Sequence, residues 1–80
     1  MIIKVLGPGC PNCQLLESRV RHALAESGVK ADVIKEADYS EISRYVMMTP
    51  GVVINEKVKH SGKPLPSVEK IKTWIMEENQ

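Results

Sequence analysis

The stretch that decides the fold is Ile2-Ile3-Lys4-Val5-Leu6-Gly7-Pro8-Gly9-Cys10-Pro11-Asn12-Cys13, followed by Leu16, Val20, Ala23 and Leu24 at helical spacing. The run from Ile2 to Leu6 is rich in β-branched and large apolar residues and stops at Gly7-Pro8-Gly9, as a buried strand entering a tight loop does. Pro11 suits the first position of a helix, where no N–H is needed and φ is already right. Ser27-Gly28 then closes that helix as a C-cap. Both cysteines therefore stand at, and just inside, a helix N-terminus that directly follows a strand.

Working outward, Val29 to Lys35 alternates, with Val29, Ala31 and Val33 on one face and Lys30 and Asp32 on the other, which predicts a second, half-buried strand. Asp38 with Glu41 three residues on has the form of a capping box, and Ile42, Tyr45 and Val46 supply the stripe of a short helix. That helix must end before Pro50, because a residue preceding proline is pushed out of the helical region. Val52 to Ile54 and Val58 to His60 flank Asn55-Glu56-Lys57 and predict a hairpin; Asn55 tolerates positive φ, while Glu56 does so poorly and suggests a looser turn. Gly62 and Pro64 break the last strand. Ser67 is the expected N-cap of a final helix reaching to about Met76, with Val68, Ile71 and Ile75 facing inward and Trp74 covering the edge of the core. The predicted order is β-α-β-α-β-β-α.

Composition narrows the function. Eighty residues make room for one core, so a single domain over 1–80 is expected. Eleven Lys and Arg against ten Asp and Glu give a net charge of +1, and aromatics are 4% with no Phe. That leaves neither a field nor a stacking platform for nucleic acid, and no patch for an anionic membrane. The apolar runs fall far short of the roughly 18 residues a transmembrane helix needs. The N-terminal run is also too short for a secretory signal core, so a cytoplasmic protein is expected. Two cysteines are too few for the framework of a small secreted scaffold, and their close spacing suits redox or metal chemistry.

A thiolate is the nucleophile of disulfide exchange, and the orphan N–H groups at a helix start lower the pKa of a cysteine placed there. Cys10 occupies that position. One helical turn brings Cys13 within disulfide reach, so Cys13 can attack a mixed disulfide formed by Cys10 and release the substrate. Pro11 stiffens the turn and Asn12 adds no charge. Taken alone, such a pair is equally open to being half a metal site or two structural cysteines. His22 lies off the apolar stripe and reads as solvated, and His60 as a surface residue near a strand end; with no second cysteine pair, no intrachain zinc site is expected. The alternative to exchange is a soft-metal-binding module or metallochaperone, which also places such a pair at a helix start. Against it, Pro8 stands where those proteins carry Met, and their chain finishes on a strand. Met47 and Met48 read as core or rim packing, with Met48 a candidate to line an adaptable groove.

Val5-Leu6-Gly7-Pro8-Gly9-Cys10-Pro11-Asn12-Cys13, Met48-Thr49-Pro50 entering Val52 to Asn55, and Ser61-Gly62-Lys63-Pro64 with Pro66-Ser67 together resemble the small, glutaredoxin-sized, thioredoxin-like redox proteins of archaea and bacteria. The resemblance covers nearly the whole chain. It implies a three-layer α/β/α fold around a central mixed four-stranded sheet and a protein-disulfide oxidoreductase acting in electron transport. It also implies a cis Pro50 beside the disulfide and Thr49 contacting substrate backbone in strand-like fashion. Gly9, Pro11 and Asn12 would form the active-site turn, and Met48, Thr49 and Pro50 the substrate-binding loop. The expected partners are protein disulfide substrates and an electron-donating reductase. No cofactor is expected beyond the Cys10–Cys13 disulfide, and a monomer is expected, since Lys57 and Lys59 discourage pairing at the hairpin edge. There are departures from thioredoxin itself. No Trp precedes Cys10, Pro11 looks more like glutaredoxin, and Lys4 stands where thioredoxin has its buried acid. Arg44 and Lys63 are the candidate cations for glutathione carboxylates.

Overall fold

The computed structural model describes residues 1–45 and 48–79. The chain runs β1 (Ile2–Leu6), α1 (Pro11–Ser27), β2 (Asp32–Glu36), α2 (Tyr39–Ile42), β3 (Gly51–Ile54), β4 (Lys57–Ser61) and α3 (Val68–Glu78). The element order is the one the residue pattern predicts. The strands form one mixed sheet in the order β2-β1-β3-β4, with β1 parallel to β2 and antiparallel to β3, and β3 antiparallel to β4. Because β1 is central, it must bury side chains on both faces.

Those faces make two cores. Ile3 and Val5 join Val52 and Ile54 on one side and meet Leu16, Val20 and Ala23 of α1 and Ile71 and Ile75 of α3. Leu6 and Val53 point the other way, onto Ile42 of α2, with Tyr45 packed alongside. This is the three-layer arrangement: α1 and α3 on one face, α2 on the other. The helix α1 exists because Cys13, Leu16, Val20 and Ala23 return every three or four residues to the sheet. It ends at Gly28, whose φ of 71° is the left-handed C-cap conformation. Ser67 caps α3 through its side chain, which accepts from the Lys70 N–H at 3.1 Å.

The structure corrects four boundaries. The second strand begins at Asp32 rather than Val29, since the ladder starts where Ile2 faces Asp32; Val29, Ala31 and Val33 still pack on the core as the alternation predicts. The second helix is a single turn, because after Ile42 the N–H groups of Arg44 and Tyr45 bond three residues back and the coil tightens. Val46, expected in its stripe, and Met47 lie outside the described residues. Asp38 does cap this turn, accepting from the Ser40 N–H at 2.9 Å. The reciprocal half of the capping box is not made, since the Asp38 N–H goes to Glu36 and the Glu41 carboxylate to Arg44. The hairpin turn is a tight Asn55-Glu56 pair, both at positive φ (49° and 68°), with Lys57 already in the ladder opposite Ile54. The looser loop is unnecessary because Asn55 is held by β1: its side-chain oxygen accepts from the Ile2 N–H, and its own N–H donates to the Ile2 carbonyl. Finally, α3 continues to Glu78.

The β3–β4 ladder slips between Val52 and Val53, so that Val52 faces His60 while Val53 faces Val58. Lys59 is the extra residue of this bulge. Two successive side chains then serve α3: Lys59 bonds Glu78 at 3.0 Å, and the His60 ring stacks on Trp74 with centroids 6.2 Å apart. Neighbouring leucines on α1 test the packing. Leu16 is fully buried and Leu15 is 45% exposed. Leu16→Ala is expected to lower the unfolding free energy by about 2–5 kcal/mol and Leu15→Ala by about 0.5 or less. Urea titrations of the two variants check this, and equal losses would contradict the placement of the helix.

Candidate active site

The site is built at the C-terminal end of β1. After Leu6 the Gly7 N–H makes a last rung to the Glu36 carbonyl at 2.9 Å, and the chain leaves the sheet. Gly9, at φ 93°, turns it toward α1 in a conformation L side chains rarely adopt. Cys10 is the N-cap, with extended backbone, and Pro11 is the first helical residue. The Cys13 N–H donates to the Cys10 sulfur at 3.2 Å, which aims one of the free N–H groups of the helix start at that sulfur. Gln14 adds a clamp: its amide donates to the Gly9 carbonyl at 3.1 Å.

Cys10 and Cys13 are joined as a disulfide across a Cα–Cα separation of 5.0 Å. The two sulfurs differ in access. Cys10 is half-buried at the mouth of the loop, whereas Cys13 is 5% exposed. Pro11 is exposed and Asn12 half-buried beside them. Cys10 is therefore the more accessible of the two sulfurs.

The Met48-Thr49-Pro50 segment arrives from the other side. The Thr49–Pro50 peptide is cis, and Pro50 is buried. The β4 end holds this segment, with the Gly62 N–H donating to the Pro50 carbonyl at 2.9 Å and the Ser61 hydroxyl to the Met48 carbonyl at 3.2 Å. The side chain of Met48 lies against Gly62 yet remains 62% exposed, and Thr49 is half-buried. The structure thus gathers Gly9, Cys10, Pro11, Asn12 and Cys13 at one end of β1 and brings Pro50 to the same place.

Three residues at the site are ones the sequence pattern does not single out. Gly7 is one: a Cβ built there would overlap the Cys13 sulfur and lie 3.9 Å from the Pro50 Cα. Its role is space, since Gly7 has no left-handed φ. The other two are Glu17 and Lys35, which with Val5, Gly7, Cys13 and Gln14 line a cavity of about 20 Å³ behind the disulfide. Glu17 follows Cys13 by one helical turn, a spacing that places them on one face. Lys35 comes from β2 and only the tertiary fold brings it near. Arg21, first, and then Lys35, at 2.8 and 3.4 Å, hold the Glu17 carboxyl below the ordinary carboxylate range against the opposing effect of burial. Of the remaining candidates, Arg44 pairs with Glu41 and Lys4 reaches Tyr45 and Glu56 on the α2 side of the sheet, while Lys63 is exposed and follows Gly62, whose N–H donates to the Pro50 carbonyl. His22 pairs with Glu26 on the outer face of α1, and His60 Nε2 lies 2.7 Å from the Gly62 carbonyl. Among the described residues, no three His, Cys, Asp or Glu side chains converge as metal ligands, and no helix is long and apolar enough to cross a membrane.

A disulfide-forming cysteine pair at the start of a helix, after a central strand of such a mixed sheet, defines a thiol–disulfide oxidoreductase of thioredoxin-like architecture. Comparison with known proteins agrees. A model of the thioredoxin domain matches residues 1–76. A thioredoxin of Methanocaldococcus jannaschii is 39% identical over 72 residues, spanning 90% of this chain and 83% of that protein. A thioredoxin of Methanothermobacter thermautotrophicus is 34% identical over 73 residues, spanning 90% of this chain and 94% of its own. The chain belongs to the thioredoxin family.

Two outcomes are expected of the site's geometry. Gly7→Ala should destabilise the oxidised protein by about 1–3 kcal/mol, and the reduced protein, whose Cys13 sulfur is free to move, by less. Guanidinium unfolding of both redox forms measures this; equal losses would mean that the sulfur is not what the new methyl meets. Glu17 has a lowered folded pKa, so its contribution is present above the unfolded carboxylate pKa and is lost as pH falls through the lower folded value. Glu17→Gln should therefore flatten the fall of Tm on acidification through that window, and an unchanged slope would count against the pairing.

Proposed function

We propose that this protein reduces or exchanges disulfides of partner proteins through Cys10-Pro11-Asn12-Cys13, with Cys10 as attacking nucleophile and Cys13 as resolving thiol. The observation that carries the reading is the asymmetry of the pair: an accessible Cys10 whose sulfur receives the Cys13 N–H, and a Cys13 with only 5% exposure. In the reduced protein that N–H and the positive end of α1 favour the Cys10 thiolate over the thiol. The thiolate attacks one sulfur of the substrate disulfide, the other leaves as a thiolate and takes a proton from water, and a mixed disulfide to Cys10 remains. Cys13, after losing its proton, attacks the Cys10 sulfur, the substrate departs as its second thiol, and the chain keeps the two-electron oxidation as its own disulfide. An electron-donating reductase returns the pair to dithiol, and no cofactor beyond this disulfide takes part.

The segment Met48-Thr49-Pro50 is the surface on which the substrate lies in this reading. What supports it is the buried Pro50 against Gly7 and the exposed Met48 beside it, whose flexible thioether adapts to different partners. The same reading takes 1–80 as one domain, acting as a monomer in a reducing cytoplasm, where such a dithiol serves as a donor.

With Cys13→Ser, partner proteins are expected to accumulate as stable mixed disulfides on Cys10. With Cys10→Ser, disulfide reduction should drop to the rate of the free donor dithiol, with no trapped partner. Non-reducing gels followed by mass analysis of the linked cysteine decide the matter, and adducts forming through Cys13 instead would reverse the two roles.

A further inference from the structure

On the face of the sheet away from α1, three side chains from three parts of the chain close a ring. Tyr45 Oη donates to Glu56 Oε2 at 2.7 Å, and Lys4 Nζ donates both to Tyr45 Oη at 3.1 Å and to Glu56 Oε1 at 3.3 Å. The Lys4 ammonium also lies 5.1 Å from the centre of the Tyr45 ring. Its members come from β1, the turn after α2 and the β3–β4 turn. We propose that Tyr45, anchored by Lys4 and Glu56, is a positioning residue that sets the placement of Met48-Thr49-Pro50 for docking of protein disulfides.

The placement of the ring in the chain carries the inference. Tyr45 stands three residues before Met48, and Glu56 lies in the turn after β3, the strand that begins at Gly51 directly after Pro50. Both approaches to the segment are therefore tied to the same point on β1. On the near side Ser61 and Gly62 bond the Met48 and Pro50 carbonyls, so the segment is held from two directions. A second observation concerns Glu56 itself. It sits at φ 68° in the second position of a tight hairpin turn, where glycine is the residue that fits without strain. A non-glycine residue held in that region persists where its surroundings over-determine it, and such positions cluster around functional elements. What Glu56 has and glycine lacks is the carboxylate that receives Tyr45 and Lys4. The charge states suit an anchor of this kind. Hydrogen bonding to Tyr45, then to Lys4, holds the Glu56 carboxyl below its ordinary value, and the bond to Tyr45 raises Lys4, so both stay charged through neutral pH.

Stability is a poor explanation for the ring. The Glu56 side chain is 67% exposed, and exposed ion pairs contribute little to folding. The apolar part of Tyr45 already packs on Leu6, Ile42 and Val53 without its hydroxyl. The hydroxyl adds direction, fixing where the chain stands before it enters the segment.

The inference rests on reading Met48-Thr49-Pro50 as the substrate surface, and the test separates the two. The full chain is assayed with dithiothreitol as donor, insulin as the protein disulfide and the disulfide of thionitrobenzoate as a small one, for Tyr45→Phe, Glu56→Gly and Met48→Ala. Tyr45→Phe and Glu56→Gly should each raise KM for insulin by roughly threefold to tenfold. They should leave kcat and the rate on the small disulfide within about twofold. Glu56→Gly should melt no lower than the parent, since glycine relieves the turn, and the double variant should show no further rise in KM, the two residues acting as one unit. A KM unchanged in both variants while Met48→Ala raises it would overturn the positioning role and leave the substrate surface standing. An unchanged KM in Met48→Ala as well would remove both. Rates on the small disulfide falling in step with those on insulin would also overturn it, by showing damage at the dithiol or to the fold.

Discussion

The Gly7 backbone passes so close to the Cys13 sulfur that no side chain fits between them, and the rest of the site depends on that approach. It allows α1 to start within a few residues of the end of β1, so that the helix dipole, the capping cysteine and the last rung of the sheet share one small volume. It also leaves room for Pro50 to close the site from the β3 side. A residue with a Cβ at Gly7 would push either the sulfur or the strand, and the disulfide would lose its seat over the core.

From that point the chain's chemistry divides between the two faces of the sheet. The face under α1 and α3 is dry: Leu16, Val20, Ile71 and Ile75 lock the helix that carries the cysteines. That packing fixes the helix start, where the N–H of Cys13 donates to the Cys10 sulfur. Among the described residues, the opposite face is covered by the single turn of α2 with Tyr45 beside it. There the polar ring of Lys4, Tyr45 and Glu56 takes the place that packing holds elsewhere, tying the hairpin and the turn after α2 to β1.

Local signals in the residues carried much of this. Ile2 to Leu6 as a strand, Pro11 and Gly28 as the limits of α1, and Ser67 as the cap of α3 all rest on backbone preferences that act within a few residues, and the structure has them. Where a local signal was incomplete, the boundary moved. Alternation in Val29 to Lys35 identifies the buried face correctly, but the ladder needs a partner and so starts at Asp32. Glu56 is a poor turn residue by its own preference; the turn is tight because Asn55 is held by Ile2 of β1, and Glu56 there meets Lys4 and Tyr45 from distant parts of the chain.

By itself the sequence determined the element order, the limits of α1, the apolar stripes of α1 and α3 and the helix-start position of Cys10 and Cys13, because capping, proline and glycine geometry and periodicity are properties of neighbouring residues. Only the tertiary structure decided that Gly7 faces Cys13, that Lys35 reaches Glu17 beside the disulfide, and that Tyr45 bonds Glu56 across the sheet. These are meetings of residues brought together by strand pairing and helix packing, and no preference of either partner encodes the other's position.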